Sequence, residues 1–250
     1  MIKIAVVGCT GKLGKTILNR ILSVGDVELR YAIARRGNQF VGKRISELIN
    51  GKCDLEIIDD IELAVDCDVF IDCTNADAFM NNGYAKYERM RKPLLLATTA
   101  FCQADVEQIK LLSTKIPVFM TGNFSIALHN FIETLKFAVK RVSDDIDVQI
   151  VESHHNQKLD APSGTALMIR DALISANPNL RADRISICSV RVGKLFGEHE
   201  VIFANNRDEF VTYKHQVTSR EPFADGAINV AKWILSQPCG LYGMGDFCGF

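Results

Sequence analysis

Two kinds of hydrophobic patterning divide the chain. In the first half, short continuous apolar runs at Ile2–Val7, Val27–Ile33, 68–73, 93–98 and Pro117–Met120 are separated by segments with helical spacing, such as Leu13, Ile17, Ile21 and Leu22. Unbroken apolar runs predict strands covered on both faces, and their alternation with helices predicts a doubly wound parallel sheet. The next region changes character. A helical pattern over 125–141 (Leu128, Ile132, Leu135) leads into alternating segments at 146–153, 184–192, 198–204 and 209–217. Alternation predicts half-buried strands, here in a mostly antiparallel sheet packed by helices, an α+β domain. A last apolar stripe, Phe223, Ala227, Val230, Ala231 and Ile234, predicts a helix before Pro238.

Composition narrows the partners. At 250 residues with net charge −1, the chain is long enough for one large or two modest domains, and its mixed charges give no grip on nucleic acid or an anionic membrane. The amino-terminal IKIAVVG lacks the basic start of a signal peptide, and no apolar run reaches membrane-spanning length, so a cytoplasmic protein is expected. Eight cysteines show no C-x-x-C pair and no metal-ligand spacing. They are expected to be reduced thiols used as small apolar residues, with no metal bound.

Chemistry enters at two places. Gly8, Gly11 and Gly14 lie between the first strand and the first helix, a βαβ context that predicts a Rossmann-type dinucleotide site. Ligands of such sheets sit at the carboxyl ends of the strands, which singles out Thr74, Thr98, Thr99 and Asn123. The second strand ends in Ala34, Arg35 and Arg36 where NAD sites usually carry an acid, and Asp26 and Glu28 lie at its wrong end. Arginines pair with a phosphate that an acid would repel. NADPH is therefore the expected cofactor, with Arg35 and Arg36 on its 2′-phosphate and NADH possible.

The second place is the run ESHHNQKLDAPSGTA from Glu152 to Ala166. His154 and Lys158 can each deliver a proton, and His155 and Lys158 can bind a negative group. Successive histidines on an extended strand point to opposite faces, so both meet one ligand only if the strand has broken. Pro162 is expected in the first turn of a helix, leaving the amides of Ser163, Gly164 and Thr165 free for a carboxylate. Asp160 reads more readily as part of the turn before Pro162 than as a holder of Lys158. His129, His199 and His215 read as hydrogen-bonded members of a helix and a sheet.

The order E-x-H-H-x-x-x-K-x-D-x-P-S-G-T-A, unbroken over this run, resembles the signature of the dihydrodipicolinate reductases of bacterial and plant lysine biosynthesis. The resemblance implies NAD(P)H-dependent reduction of a cyclic dicarboxylate, 4-hydroxy-tetrahydrodipicolinate or dihydrodipicolinate, to tetrahydrodipicolinate. It implies His154 as general acid/base, Lys158 as proton donor or charge stabiliser, His155 as a substrate contact, and Gly164 with Thr165 as carboxylate amides. For the cofactor it implies Gly8, Thr10, Gly11, Lys12, Leu13 and Gly14, then Ala97, Thr98 and Thr99, then Thr121, Gly122, Asn123 and Phe124.

It further implies a dinucleotide-binding domain over 1–124 and 221–250, an inserted substrate-binding and oligomerisation domain over 125–220, and a homotetramer. The chain departs from the family pattern at Ala34, where an acid is common, and at Ala97 and Ala100, which replace glycines. Alanine does not readily hold positive φ, so a different local backbone is expected there. Two rivals remain: another oxidoreductase of the same build using Cys102 or Cys188 as a nucleophile on an aldehyde, and a non-catalytic NADPH-sensing regulator.

Overall fold

The computed structural model of the protein describes residues 1–142, 146–205 and 209–250. They fold as two units, Met1–Phe124 with Glu221–Phe250, and Ser125–Arg220. The first unit is a Rossmann-type domain. Its strands are β1 (Ile2–Val7), β2 (Val27–Ile33), β3 (Ile57–Ile58), β4 (Val69–Asp72), β5 (Leu94–Leu96), β6 (Pro117–Met120) and β11 (Gly240–Tyr242). All pair in parallel, in the order β11-β6-β5-β4-β1-β2-β3. The central residues of β1, β4, β5 and β6 are buried, which is why those segments are predominantly apolar.

Helices α1 (Lys12–Ser23), α2 (Ala76–Ala78), α3 (Tyr84–Met90), α4 (Gln103–Ser113), α7 (Glu221–Ile234) and α8 (Met244–Cys248) belong to the same unit. α7 packs on α1 and is tied to it and its following turn by Arg20–Asp225 and Lys232–Asp26. Its approach is close: a Cβ on Gly226 would lie 1.9 Å from the Phe124 carbonyl oxygen. Only a residue without a side chain lets this helix sit there.

The second unit holds α5 (Ile126–Val139), β7 (Asp147–His154), α6 (Gly164–Ala176), β8 (Ile185–Arg191), β9 (Gly197–Ala204) and β10 (Phe210–Val217). The four strands form a sheet in the order β10-β9-β7-β8. β9 runs antiparallel to β7 and β10, whereas β7 and β8 are parallel. The expected antiparallel sheet is thus mixed, because α6 intervenes between β7 and β8 and returns the chain in the same direction. Val148, Ile150, Val201 and Phe203 bury one sheet face against Leu128, Leu135, Ile169 and Leu173 of α5 and α6. Among the described residues no helix is long and apolar enough to cross a membrane.

Candidate active site

In the first unit, the residues singled out at strand ends gather along the carboxyl edge of one sheet. Gly8 takes φ +76°, and a Cβ there would meet the Cys73 carbonyl at 2.8 Å, so the β1 turn closes against the end of β4 only with glycine. A Cβ on Gly14 would lie 2.4 Å from the Gly8 oxygen, which lets α1 begin directly under the turn. The amides of Lys12, Leu13 and Gly14 carry no hydrogen bond within the described chain, and Gly11 caps with no side chain. Free amides at the positive end of a twelve-residue helix suit a pyrophosphate.

A cleft of about 470 Å³ continues from Gly8 past Arg35, Arg36, Thr74 and Lys86. Arg35 has no acidic partner among the described residues, while Arg36, 87 % exposed, makes one long contact to Asp59 at 3.4 Å. Asp59 and Asp60, at the end of β3, went unnoticed in the sequence because their strand is only two residues long. On the floor, the buried Asp72 carboxylate accepts the Tyr87 hydroxyl at 2.6 Å and the Thr74 amide at 2.8 Å. Burial pushes its pKa up despite those bonds.

Toward the other edge, the Thr98 hydroxyl is buried with no hydrogen-bond partner among the described residues, a polar atom that a ligand could satisfy. Gly122 brings the β6 turn to Thr99, 3.5 Å from where its Cβ would be. Phe124 differs from the rest: its ring is 2 % exposed and stacks on Phe119, so it supports the fold and offers a ligand only backbone. Ala97 keeps an ordinary backbone, but Ala100 takes φ 65°, contrary to expectation. The turn keeps its left-handed residue without glycine, at a cost of about 1–2 kcal/mol. Orphaned amides, a partnerless hydroxyl and a free arginine fit a pyridine nucleotide.

In the second unit, β7 runs on through His154 and ends there. His154 therefore lies on the same buried face as Ile150 and Glu152, and His155 follows where the strand has stopped. Glu152, fully buried, is the hub. Its carboxylate accepts His154 Nδ1 at 2.5 Å, both Arg191 terminal nitrogens at 2.7 and 3.0 Å, and the Ser163 amide at 3.2 Å. Burial alone would raise its pKa, but Arg191, Ser189 and His154 hold it below the usual carboxylate range. Burial also lowers the His154 pKa, only partly opposed by Glu152.

Ser163, not Pro162, starts the following helix: its hydroxyl accepts the Ala166 amide, and Pro162 stands one residue outside. The Ser163 amide, expected to be free, is taken by Glu152. Those of Gly164 and Thr165 carry no bond within the described chain, and a Cβ on Gly164 would meet nothing within 4 Å. This glycine is not required by packing, so the space beside it is open to a ligand. Lys158, partly buried, pairs with Asp160 at 2.8 Å, so Asp160 does hold the lysine.

His199 forms a wall of the candidate site: its ring lies 5.4 Å from His154, edge on, and its pKa is pushed down to about 3 by burial. Neither Cys102 nor Cys188 is hydrogen-bonded to a basic side chain among the described residues.

Residues 2–124 match the family model "Dihydrodipicolinate reductase, N-terminus", and residues 127–248 match "Dihydrodipicolinate reductase, C-terminus". The chain belongs to the dihydrodipicolinate reductase family. Among curated relatives of the family, a 4-hydroxy-tetrahydrodipicolinate reductase of Psychrobacter arcticus is 31% identical, covering 100% of this chain and 95% of that protein. One of Nitrosospira multiformis is 29% identical over 99% and 98%. Among solved structures, a dipicolinate-bound dihydrodipicolinate reductase from Paenisporosarcina sp. TG-14 shares the fold, with TM-score 0.77 and 23% identity over 98% of this chain and 99% of that one. A probable dehydrogenase from Thermotoga maritima also shares it at TM-score 0.64 and 10% identity, covering 99% and 93%. Family membership, and the absence of a basic partner for Cys102 or Cys188 among the described residues, leave the thiol-based rival without support.

Proposed function

We propose that this member of the family reduces 4-hydroxy-tetrahydrodipicolinate, or the dihydrodipicolinate formed from it, to tetrahydrodipicolinate in the diaminopimelate route to lysine, and that NADPH is its preferred cofactor. The observation that carries the reading is the turn after β7, where an imidazole, an ammonium and two unbonded helix amides occur within eleven residues of one another. A ring diacid presents two carboxylates and, as its double bond is reduced, needs one proton. The Gly164 and Thr165 amides take one carboxylate, and His155 with Lys158 offers charge to the other. His154 and Lys158 are the two groups able to supply the proton, and Asp160 holds the lysine in place.

The chain's first unit binds the nucleotide. A reduced pyridine nucleotide supplies the hydride. Gly8, Thr10, Gly11, Lys12, Leu13 and Gly14 hold its pyrophosphate, Arg35 and Arg36 its 2′-phosphate, and the turns at 97–99 and 121–124 its nicotinamide half, with Thr98 donating or accepting through its unpartnered hydroxyl. Arg35 supports NADPH because, among the described residues, no acidic side chain forms an ion pair with it, whereas Asp59 pairs with Arg36. The second unit would assemble a cytoplasmic homotetramer, which sedimentation of the purified protein checks. Its edge strand β10 leaves Phe210 and Val211 68% and 47% exposed, apolar surface that self-association would cover.

Two assays test this. With substrate generated by the preceding synthase, nicotinamide absorbance should fall in the presence of the enzyme, and Lys158→Ala should lose about 10²–10⁴ in kcat with nucleotide binding intact. No turnover in wild type supports the regulator reading instead, and unchanged turnover in the variant removes the lysine from the mechanism. For the cofactor, kcat/KM should favour NADPH, and Arg35→Ala should cut that advantage about 10- to 100-fold, the worth of one charged hydrogen bond. A wild-type preference for NADH overturns the assignment.

A further inference from the structure

Glu152 does more than neutralise Arg191. It sits at the centre of the second sheet, opposite Ser189 on β8 and His199 on β9, with no exposure to solvent. Each of its oxygens is committed. Oε1 accepts from the Ser163 amide and from Arg191 Nη2, and Oε2 accepts from Arg191 Nη1 and faces His154 Nδ1. Its other partners donate to it: the Ser163 amide N–H and the Arg191 guanidinium cannot accept, and the Ser189 hydroxyl turns its proton to the carboxylate. A carboxylate held ionised in this way has only acceptor capacity left to turn toward the imidazole.

We propose that Glu152 is the positioning residue of the site, fixing His154 with a proton on Nδ1 so that Nε2 is its exchanging nitrogen, and fixing through Ser163 the start of the helix that presents the Gly164 and Thr165 amides. This rests on the reading of His154 as a proton-transfer group. The surroundings of Nε2 agree with the role. It has no partner among the described residues, and the absence of a side chain at Gly197 keeps that side clear, since a Cβ there would stand 3.3 Å from it. Arg191 completes the device: directly across from His154 on β8, it clamps Glu152 in both oxygens and also donates to the Asp160 carbonyl at 2.6 Å, joining the carboxylate to the loop that carries Lys158. One carboxylate thereby holds the imidazole, the helix start and, through Arg191, the lysine loop in a single arrangement.

The charged and titratable groups facing His154 are Glu152 on its own strand, Arg191 from β8, His199 from β9 and Lys158 from the loop. Glu152 is the one anion among them. Glu152→Gln keeps the shape but inverts one polarity. The amide oxygen stays at the Oε1 place, where the Ser163 amide and Arg191 Nη2 converge, so the amide nitrogen takes the Oε2 place, giving up the Arg191 Nη1 bond and facing His154 Nδ1. That nitrogen must then accept, and the neutral ring shifts its proton to Nε2.

The test is imidazole nitrogen NMR of the full-length protein with labelled histidine and no ligand, His154 assigned by its disappearance in His154→Gln. In wild type the neutral ring should be the Nδ1–H tautomer, and in Glu152→Gln the Nε2–H tautomer. An Nε2–H ring in wild type overturns the proposal, and that measurement needs no variant of Glu152 to fold. In turnover, Glu152→Gln should lose about 10²–10⁴ in kcat, as wrong-tautomer variants do, with its descending pH limb moved to lower pH and the nucleotide KM unchanged. Glu152→Asp should recover part of the loss. A merely structural carboxylate would leave tautomer and pH limb where they were, which also overturns the proposal. His154→Ala, assayed beside these, separates the two ideas: full activity there removes the proton-transfer reading and leaves the tautomer result standing on its own.

Discussion

Gly164→Ala separates what the fold needs at this position from what the reaction needs. Gly164 is the first residue of α6, its φ is not positive, and an added Cβ meets no atom within 4 Å. The folded chain therefore has no objection to alanine, while the unfolded chain loses freedom, so stability should rise by about 0.4–1 kcal/mol. For a domain of this size that is about 1–4 °C in Tm. The methyl group, however, fills the space in front of two unbonded amides. If a substrate carboxylate is held there, displacing it removes a charge-assisted hydrogen bond worth about 1.5–3 kcal/mol, which raises the substrate KM about 10- to 150-fold. Thermal unfolding and steady-state kinetics on the same preparation read both effects. The nucleotide KM should not move. A raised Tm with unchanged substrate KM refutes the placement of the carboxylate; a lowered Tm refutes the open geometry itself.

Two contrasting perturbations follow from the same structure. Gly226→Ala drives a methyl to 1.9 Å from the Phe124 carbonyl, so α7 must move off the sheet and unfolding by urea should show a loss of about 3 kcal/mol, the upper range for overpacking. A loss below about 1 kcal/mol would mean that the helix yields there. His199 gives a pH dependence. Its pKa is about 6.5 unfolded and about 3 folded, so between those values only the unfolded chain binds the proton and stability falls as the pH drops. From pH 7 to pH 5 this one group should contribute about 2 kcal/mol of destabilisation, and His199→Gln should remove that share of the slope. Equal slopes in both proteins would show that His199 titrates normally.

The architecture was legible in the sequence where burial is total. β1, β4, β5 and β6 are covered on both faces along most of their length, and apart from Lys3 and Asp72 only apolar residues stand there, so the runs announce themselves. The glycines of the first turn were legible too, because Gly8 and Gly14 answer to contacts within the same βαβ unit. At the candidate site the histidines, the lysine and the helix start stood in one contiguous stretch. What escaped were relations across the sheet. Arg191 lies 39 positions from Glu152 and forms no motif with it. Ser163 looked free until a carboxylate eleven residues earlier came round to its amide. The parallel pairing of β7 and β8 left no mark on either strand, since the alternation is the same in both directions. Local periodicity and motif spacing were set by neighbours in the chain and could be read from it. The partners of Glu152, the wall formed by His199, the left-handed Ala100 and the buried ring of Phe124 depend on which distant segments fold together, and only the tertiary structure decided them.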